Sequence, residues 1–93
     1  MTVYLISYEL SNSDEKYKSI HSAMRIMGVY NHIMESTWLL STPLSASQVG
    51  GKLTSYLDNN DKMFISKVSA NECEFQGWLD EETWKWIREH ILL

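Results

Sequence analysis

Cysteine is nearly missing from this 93-residue chain, with Cys73 as the only one. No internal disulfide can form, which fits a reducing compartment such as the cytoplasm. No Cys-x-x-Cys and no close pair of histidines occurs, so the usual structural zinc patterns are excluded. One proline and four glycines are too few for a low-complexity chain. No apolar run approaches the ~18 residues of a membrane span, so no membrane partner is expected. The N-terminal Met1-Thr2-Val3-Tyr4-Leu5-Ile6 lacks a basic region and a small-residue cleavage site, and reads as a strand rather than a signal peptide. Basic runs are missing too. Eight Lys and Arg are scattered among twelve Asp and Glu, for a net charge of -4. Phosphate affinity grows with the number of charges neutralised, so tight non-specific nucleic-acid binding by one copy is not expected. Only a dimer that gathers basic residues into one groove would escape that argument. No Gly-rich phosphate loop, Gly-x-Ser-x-Gly or Cys/His nucleophile pair is present.

What is present is regular alternation followed by helical stripes. Residues 2–10 place Val3, Leu5 and Ser7 on one side and Tyr4, Ile6 and Tyr8 on the other. Such a β-branched and aromatic run is a strand, and two apolar faces suit a central one covered on both sides. Asn12 and Glu15 have capping-box spacing ahead of Tyr17, Ile20, Met24 and Met27, which predicts a helix over about 13–27 with Gly28 as a left-handed stop. Residues 29–42 read as two strands bent at Glu35-Ser36-Thr37 and ended by Pro43. Ser45 and Gln48 repeat the capping spacing before Val49, Leu53, Tyr56 and Leu57, and Gly50-Gly51 suggests a close approach of this helix to the sheet. Lys62 to Val68 is a fourth strand, and Asp80 caps a last helix over about 81–91 with Trp84, Ile87 and Ile91 in one stripe. The order is β-α-β-β-α-β, an α+β ferredoxin-like sandwich with an extra C-terminal helix. Residues 1–69 form the core, and 70–93 form a loop and helix that pack on the core or on a dimer mate. The tail's tryptophans are expected to be withdrawn from water.

Few residues point to chemistry. Glu9 ends the first strand and is the candidate catalytic and metal-binding residue. A carboxylate there, near a symmetry axis, would hold Mg²⁺ together with its dimer mate. A lone carboxylate is more often a solvated strand end. Glu35, ahead of a Ser-Thr-Trp turn, is the second candidate, and an exposed hairpin residue or a helix-cap partner is the simpler reading. His21, His32 and His90 share no close spacing; His21 belongs on the exposed flank of the first helix, and His32 on a strand is a candidate proton carrier. Asp14, Glu15, Asp58 and Asp61 read as caps and turns, and Glu81 and Glu82 suit a helix N-terminus. Tyr4, Tyr8 and Tyr30 have the character of base-stacking sheet aromatics, but core packing is the simpler reading.

Three segments carry a resemblance: Tyr4-Leu5-Ile6-Ser7-Tyr8-Glu9-Leu10, Glu35-Ser36-Thr37-Trp38 and Asn59-Asn60-Asp61-Lys62-Met63. Over about residues 3–69 their spacing resembles small bacterial proteins carried under a "SinR family" label. That group is similar in layout to the CRISPR-associated Cas two family and to the VapD toxin ribonucleases. The resemblance implies a ferredoxin-like protomer that forms a homodimer through its sheets. In the wider families an Asp ends the first strand in a Tyr-Asp-hydrophobic pattern. It accompanies divalent-metal-dependent nuclease activity, or no activity where the dimer is a nucleic-acid adaptor. The matching residue here is Glu9, one methylene longer, and Mg²⁺ tolerates such displacement poorly. Two functions follow from the resemblance. One is a nuclease on RNA or DNA, with Mg²⁺ or Mn²⁺ held by Glu9 of both subunits. The other is a non-catalytic homodimeric interaction or adaptor module. The Glu in place of Asp and the acidic charge favour the module; the Tyr-Glu strand end favours the nuclease.

Overall fold

The alternation of the first strand organises the whole molecule, seen in a computed structural model that describes residues 1–11, 14–68 and 74–92. The elements are β1 (Thr2–Glu9), α1 (Asp14–Met27), β2 (Val29–Met34), β3 (Thr37–Thr42), α2 (Ala46–Thr54), β4 (Lys62–Val68) and α3 (Glu81–Ile87), followed by a π-helical segment over Arg88–Leu92. The strands form one antiparallel sheet in the order β2-β3-β1-β4. β1 is central. It pairs with β3 from Thr2↔Thr42 to Ser7↔Thr37 and with β4 from Val3↔Val68 to Glu9↔Lys62.

Side chains alternate along a strand, and residues directly opposite share a face. Tyr4, Ile6, Tyr8, Trp38 and Leu40 therefore meet Ile20 and Met24 of α1 and Val49 and Leu53 of α2 in one core. Val3 and Leu39 on the other face meet Ile87 and Ile91, with Leu5, Ile33, Leu79 and Trp84 around them. The C-terminal stripe thus folds back over its own sheet. Ile87 and Ile91 are buried there, and each such side chain contributes about 1.5–3 kcal/mol. Coverage is partial. Beyond Leu5 the same face carries Ser7, Glu9, Lys62 and Phe64, and Phe64 is 66% exposed. Trp78 is 100% exposed, contrary to the expectation that the tail's tryptophans leave water.

Caps and glycines refine the sequence reading. The Ser45 capping box forms: Gln48 N–H donates to Ser45 Oγ at 3.1 Å, and Ser45 N–H donates to Gln48 Oε1 at 2.9 Å. Thr83 N–H donates to the Asp80 carboxylate at 2.8 Å. The predicted Asn12 cap lies outside the described residues, as does Cys73. Gly28 is required for a reason other than left-handed geometry: a Cβ there would collide with the carbonyl oxygen of Ser41 on β3. The Gly50-Gly51 pair marks no close approach. A Cβ at Gly50 would meet Ile65 at an ordinary 3.6 Å, and one at Gly51 nothing within 4 Å. α2 stops at Thr54, so Tyr56 lies past the helix and is exposed. The last helix is α only as far as Ile87 and widens to π geometry beyond it. Among the described residues, no helix is long and apolar enough to cross a membrane.

Candidate functional site

Glu9 stands where the sequence places it, at the exposed end of β1. The pleat turns it to the α3 side of the sheet, on the half that α3 leaves open. Its cross-strand neighbour is Lys62 of β4, followed by the pair Ser7↔Phe64. A shallow depression of about 210 Å³ lies here, lined by Ser7, Tyr8, Glu9, Lys62, Met63 and Phe64. Neither Glu9 nor Lys62 is in an ion pair with a described residue. Lys62 was not legible as Glu9's neighbour without the β1–β4 register, which a sequence alone does not print.

The donor set fits a resident divalent ion poorly within one copy. Magnesium takes one or two carboxylates with waters, and here one carboxylate stands beside an ammonium group. Among the described residues, no group of three or more His, Cys, Asp and Glu side chains converges as a metal site.

On the opposite face, under α1, the structure joins residues that no spacing announces. Trp38 Nε1–H donates to the Tyr8 hydroxyl oxygen at 2.9 Å, and that hydroxyl lies 2.7 Å from His21 Nε2. Trp38 can only donate, so every proton finds a partner when Tyr8 O–H donates onward to His21. Burial pushes the Tyr8 phenol up to about 12, against the lowering effect of the Trp38 hydrogen bond. Burial also holds His21 below the usual imidazole range, helped by nearby His32 and Arg25. His21 is therefore a half-buried partner of the Tyr8 hydroxyl and not the exposed flank residue the sequence suggests. His32 stacks on Trp38 at 4.2 Å between ring centres and donates from Nε2 to the Glu35 carbonyl at 2.9 Å. His21 and His32 lie 5.0 Å apart, brought together because β2 runs back beneath α1. Glu35 is exposed in the β2–β3 turn. The network ties α1 to the sheet edge, and its fixed protons suit positioning better than proton transfer. His90 is remote from it, stacked on Trp86.

A third cluster closes the strand-end side. Asp61 accepts from Ser11 N–H at 2.7 Å, Ser11 Oγ at 3.0 Å, Lys16 Nζ at 2.7 Å and Asp58 N–H at 2.9 Å. The Lys16 contact, foremost, holds the Asp61 carboxyl well below the usual carboxylate range. Asp58 and Asp61 are structural, as their turn-like sequence indicates. Tyr4 and Tyr8 are core residues, and the Tyr4 hydroxyl donates to the Leu44 carbonyl at 2.8 Å. Compared with models of known protein families, the chain matches none, and no curated protein matches it.

Proposed function

We propose that the protein is a ferredoxin-like homodimer, Cas-two-like in layout, that serves as a non-catalytic interaction or adaptor module in the cytoplasm. The β-α-β-β-α-β order and the sheet order β2-β3-β1-β4 support the fold reading. One observation carries the functional reading: the sheet face that α3 half covers leaves Phe64 66%, Met34 55% and Trp78 100% exposed. Large apolar side chains left in water around one face are the mark of an interaction surface. The lone Glu9 beside Lys62 and the net charge of -4 speak for the module over phosphate chemistry.

The second reading is a nuclease dependent on Mg²⁺ or Mn²⁺ and acting on RNA or DNA. Glu9 favours it, because a second copy on the open half-face would bring two such carboxylates near one another. A nuclease assay separates the readings. Labelled single- and double-stranded RNA and DNA are incubated with Mg²⁺, Mn²⁺ or EDTA, beside a Glu9→Ala control. The module predicts no metal-dependent cleavage. Cleavage that needs metal and vanishes in Glu9→Ala would overturn it in favour of the enzyme.

A further inference from the structure

The open half-face has a pattern that specifies how two copies meet. Ser7 lies directly opposite Phe64, and Glu9 directly opposite Lys62, all four on the same face. A line drawn between β1 and β4 thus has a small residue facing a large one and an acid facing a base. When two such faces pack, their two-fold axis lies in the plane between them. If that axis runs along the line between β1 and β4, the rotation carries each residue to the place above its own cross-strand partner. A face is then self-complementary when its cross-strand partners are complementary, which these two pairs are. The depression of about 210 Å³ has Ser7 in its lining and borders Phe64. Glu9 and Lys62 are exposed and make no ion pair with any described residue, so both charges remain available. The tail packs on Val3, Leu39, Leu5, Ile33 and Val68, at the end of the sheet away from Glu9 and Lys62. A second copy over Ser7, Glu9, Lys62 and Phe64 therefore has room.

Resting on the homodimer reading above, we infer that two copies join about an axis between β1 and β4. Glu9 of each copy pairs with Lys62 of the other, and Phe64 of each covers Ser7 of the other. On this arrangement Glu9 is a register-setting charge at the interface and not a metal ligand.

Charge reversal tests the arrangement. In Glu9→Lys, residue 9 meets Lys62 of the other copy, and two like-charge contacts appear by symmetry. Lys62→Glu creates the opposite pair of repulsions. Mixing the two variants restores attraction at both contacts. Light scattering and native mass spectrometry at low ionic strength (about 50 mM salt) leave these charges weakly screened. The wild type is expected to be a dimer at tens of micromolar. Each variant alone should dimerise about tenfold more weakly or worse, with an unchanged melting curve for the isolated chain because both sites are exposed. The equimolar mixture should give a dimer holding one chain of each kind. Phe64→Ala should weaken the dimer as well. A wild-type dimer whose two charge variants dimerise equally well, or whose variants fail to pair with each other when mixed, would overturn this axis and leave the homodimer reading standing. A monomeric wild type would overturn both.

Discussion

Gly28 sits where α1 turns into β2, and the space its side chain would take is filled by the backbone of β3. Adding a Cβ there drives it into the Ser41 carbonyl oxygen, a group fixed by the ladder and unable to swing aside. Gly28→Ala should therefore destabilise the fold by about 1–3 kcal/mol, as overpacking does. Gly51→Ala, with open space around it in α2, should stabilise by about 0.5–1 kcal/mol. Thermal melts of the two variants check the contrast, and a wild-type melt for Gly28→Ala would refute it. His21 offers a test by pH. Its pKa is lowered in the folded state by burial first, then by His32 and Arg25. The unfolded chain therefore binds more protons than the folded one as pH falls below the ordinary imidazole value near 6.5. The associated stability is complete above that pH and declines below it. Tyr8 acts at the other end: raised from 10.0 to about 12, it lowers stability as pH climbs through that window. His21→Gln keeps an acceptor near the Tyr8 hydroxyl and cannot take up the proton. It should flatten the loss of melting temperature between about pH 7 and 5, and an unchanged acid limb would show that His21 does not contribute.

At the scale of elements, the β1–α1 turn is pinned to the α2–β4 loop by one carboxylate. Asp61 gathers Ser11, Lys16 and the Asp58 amide, and because its pKa is depressed in the folded state the stability it contributes is complete above the ordinary value of 3.8 and declines progressively as pH falls below it. Asp61→Asn should lower the melting temperature at pH 7, and the gap to wild type should narrow as pH approaches 3, where the unfolded wild-type chain takes up a proton that the folded carboxylate still refuses. A constant gap across that range would assign the effect to hydrogen bonding alone. Much of this level was legible beforehand. The strands, the α2 cap at Ser45 and the Asp80 cap depend on local periodicity and local hydrogen bonds, which a linear sequence carries in full. The pairings that the sequence leaves out share one cause. Gly28 answers to Ser41, His21 to Tyr8, and Glu9 to Lys62, each a partner at least thirteen residues away. Such pairings exist only once register and packing are fixed. The Gly50-Gly51 pair departs in the opposite sense: two small residues suggest a tertiary contact, and the structure leaves room there.

At the scale of the whole molecule, the sheet has two apolar faces and the chain has helices enough for one and a half. α1 and α2 close the first face, and the tail closes the Val3–Leu39 half of the second. Docking of the tail rests chiefly on Ile87 and Ile91, both buried against that half. Truncating a buried Ile to Ala costs about 2–5 kcal/mol, against a total stability of roughly 5–15 kcal/mol for a domain. Ile87→Ala should therefore lower the melting temperature markedly. It should also shift the emission of Trp84 and Trp86, which pack at the same junction, toward the red as the tail loosens. The concentration dependence of that variant decides to which sheet the tail belongs. A tail seated on its own sheet is an intramolecular contact, so the drop relative to wild type should be the same at micromolar and at hundreds of micromolar protein. A tail exchanged between copies would be partly rescued at high concentration, because association would then supply the contact. A drop that shrinks with concentration would move Ile87 and Ile91 from the fold to the interface, and the axis between β1 and β4 would no longer be the place where two copies meet.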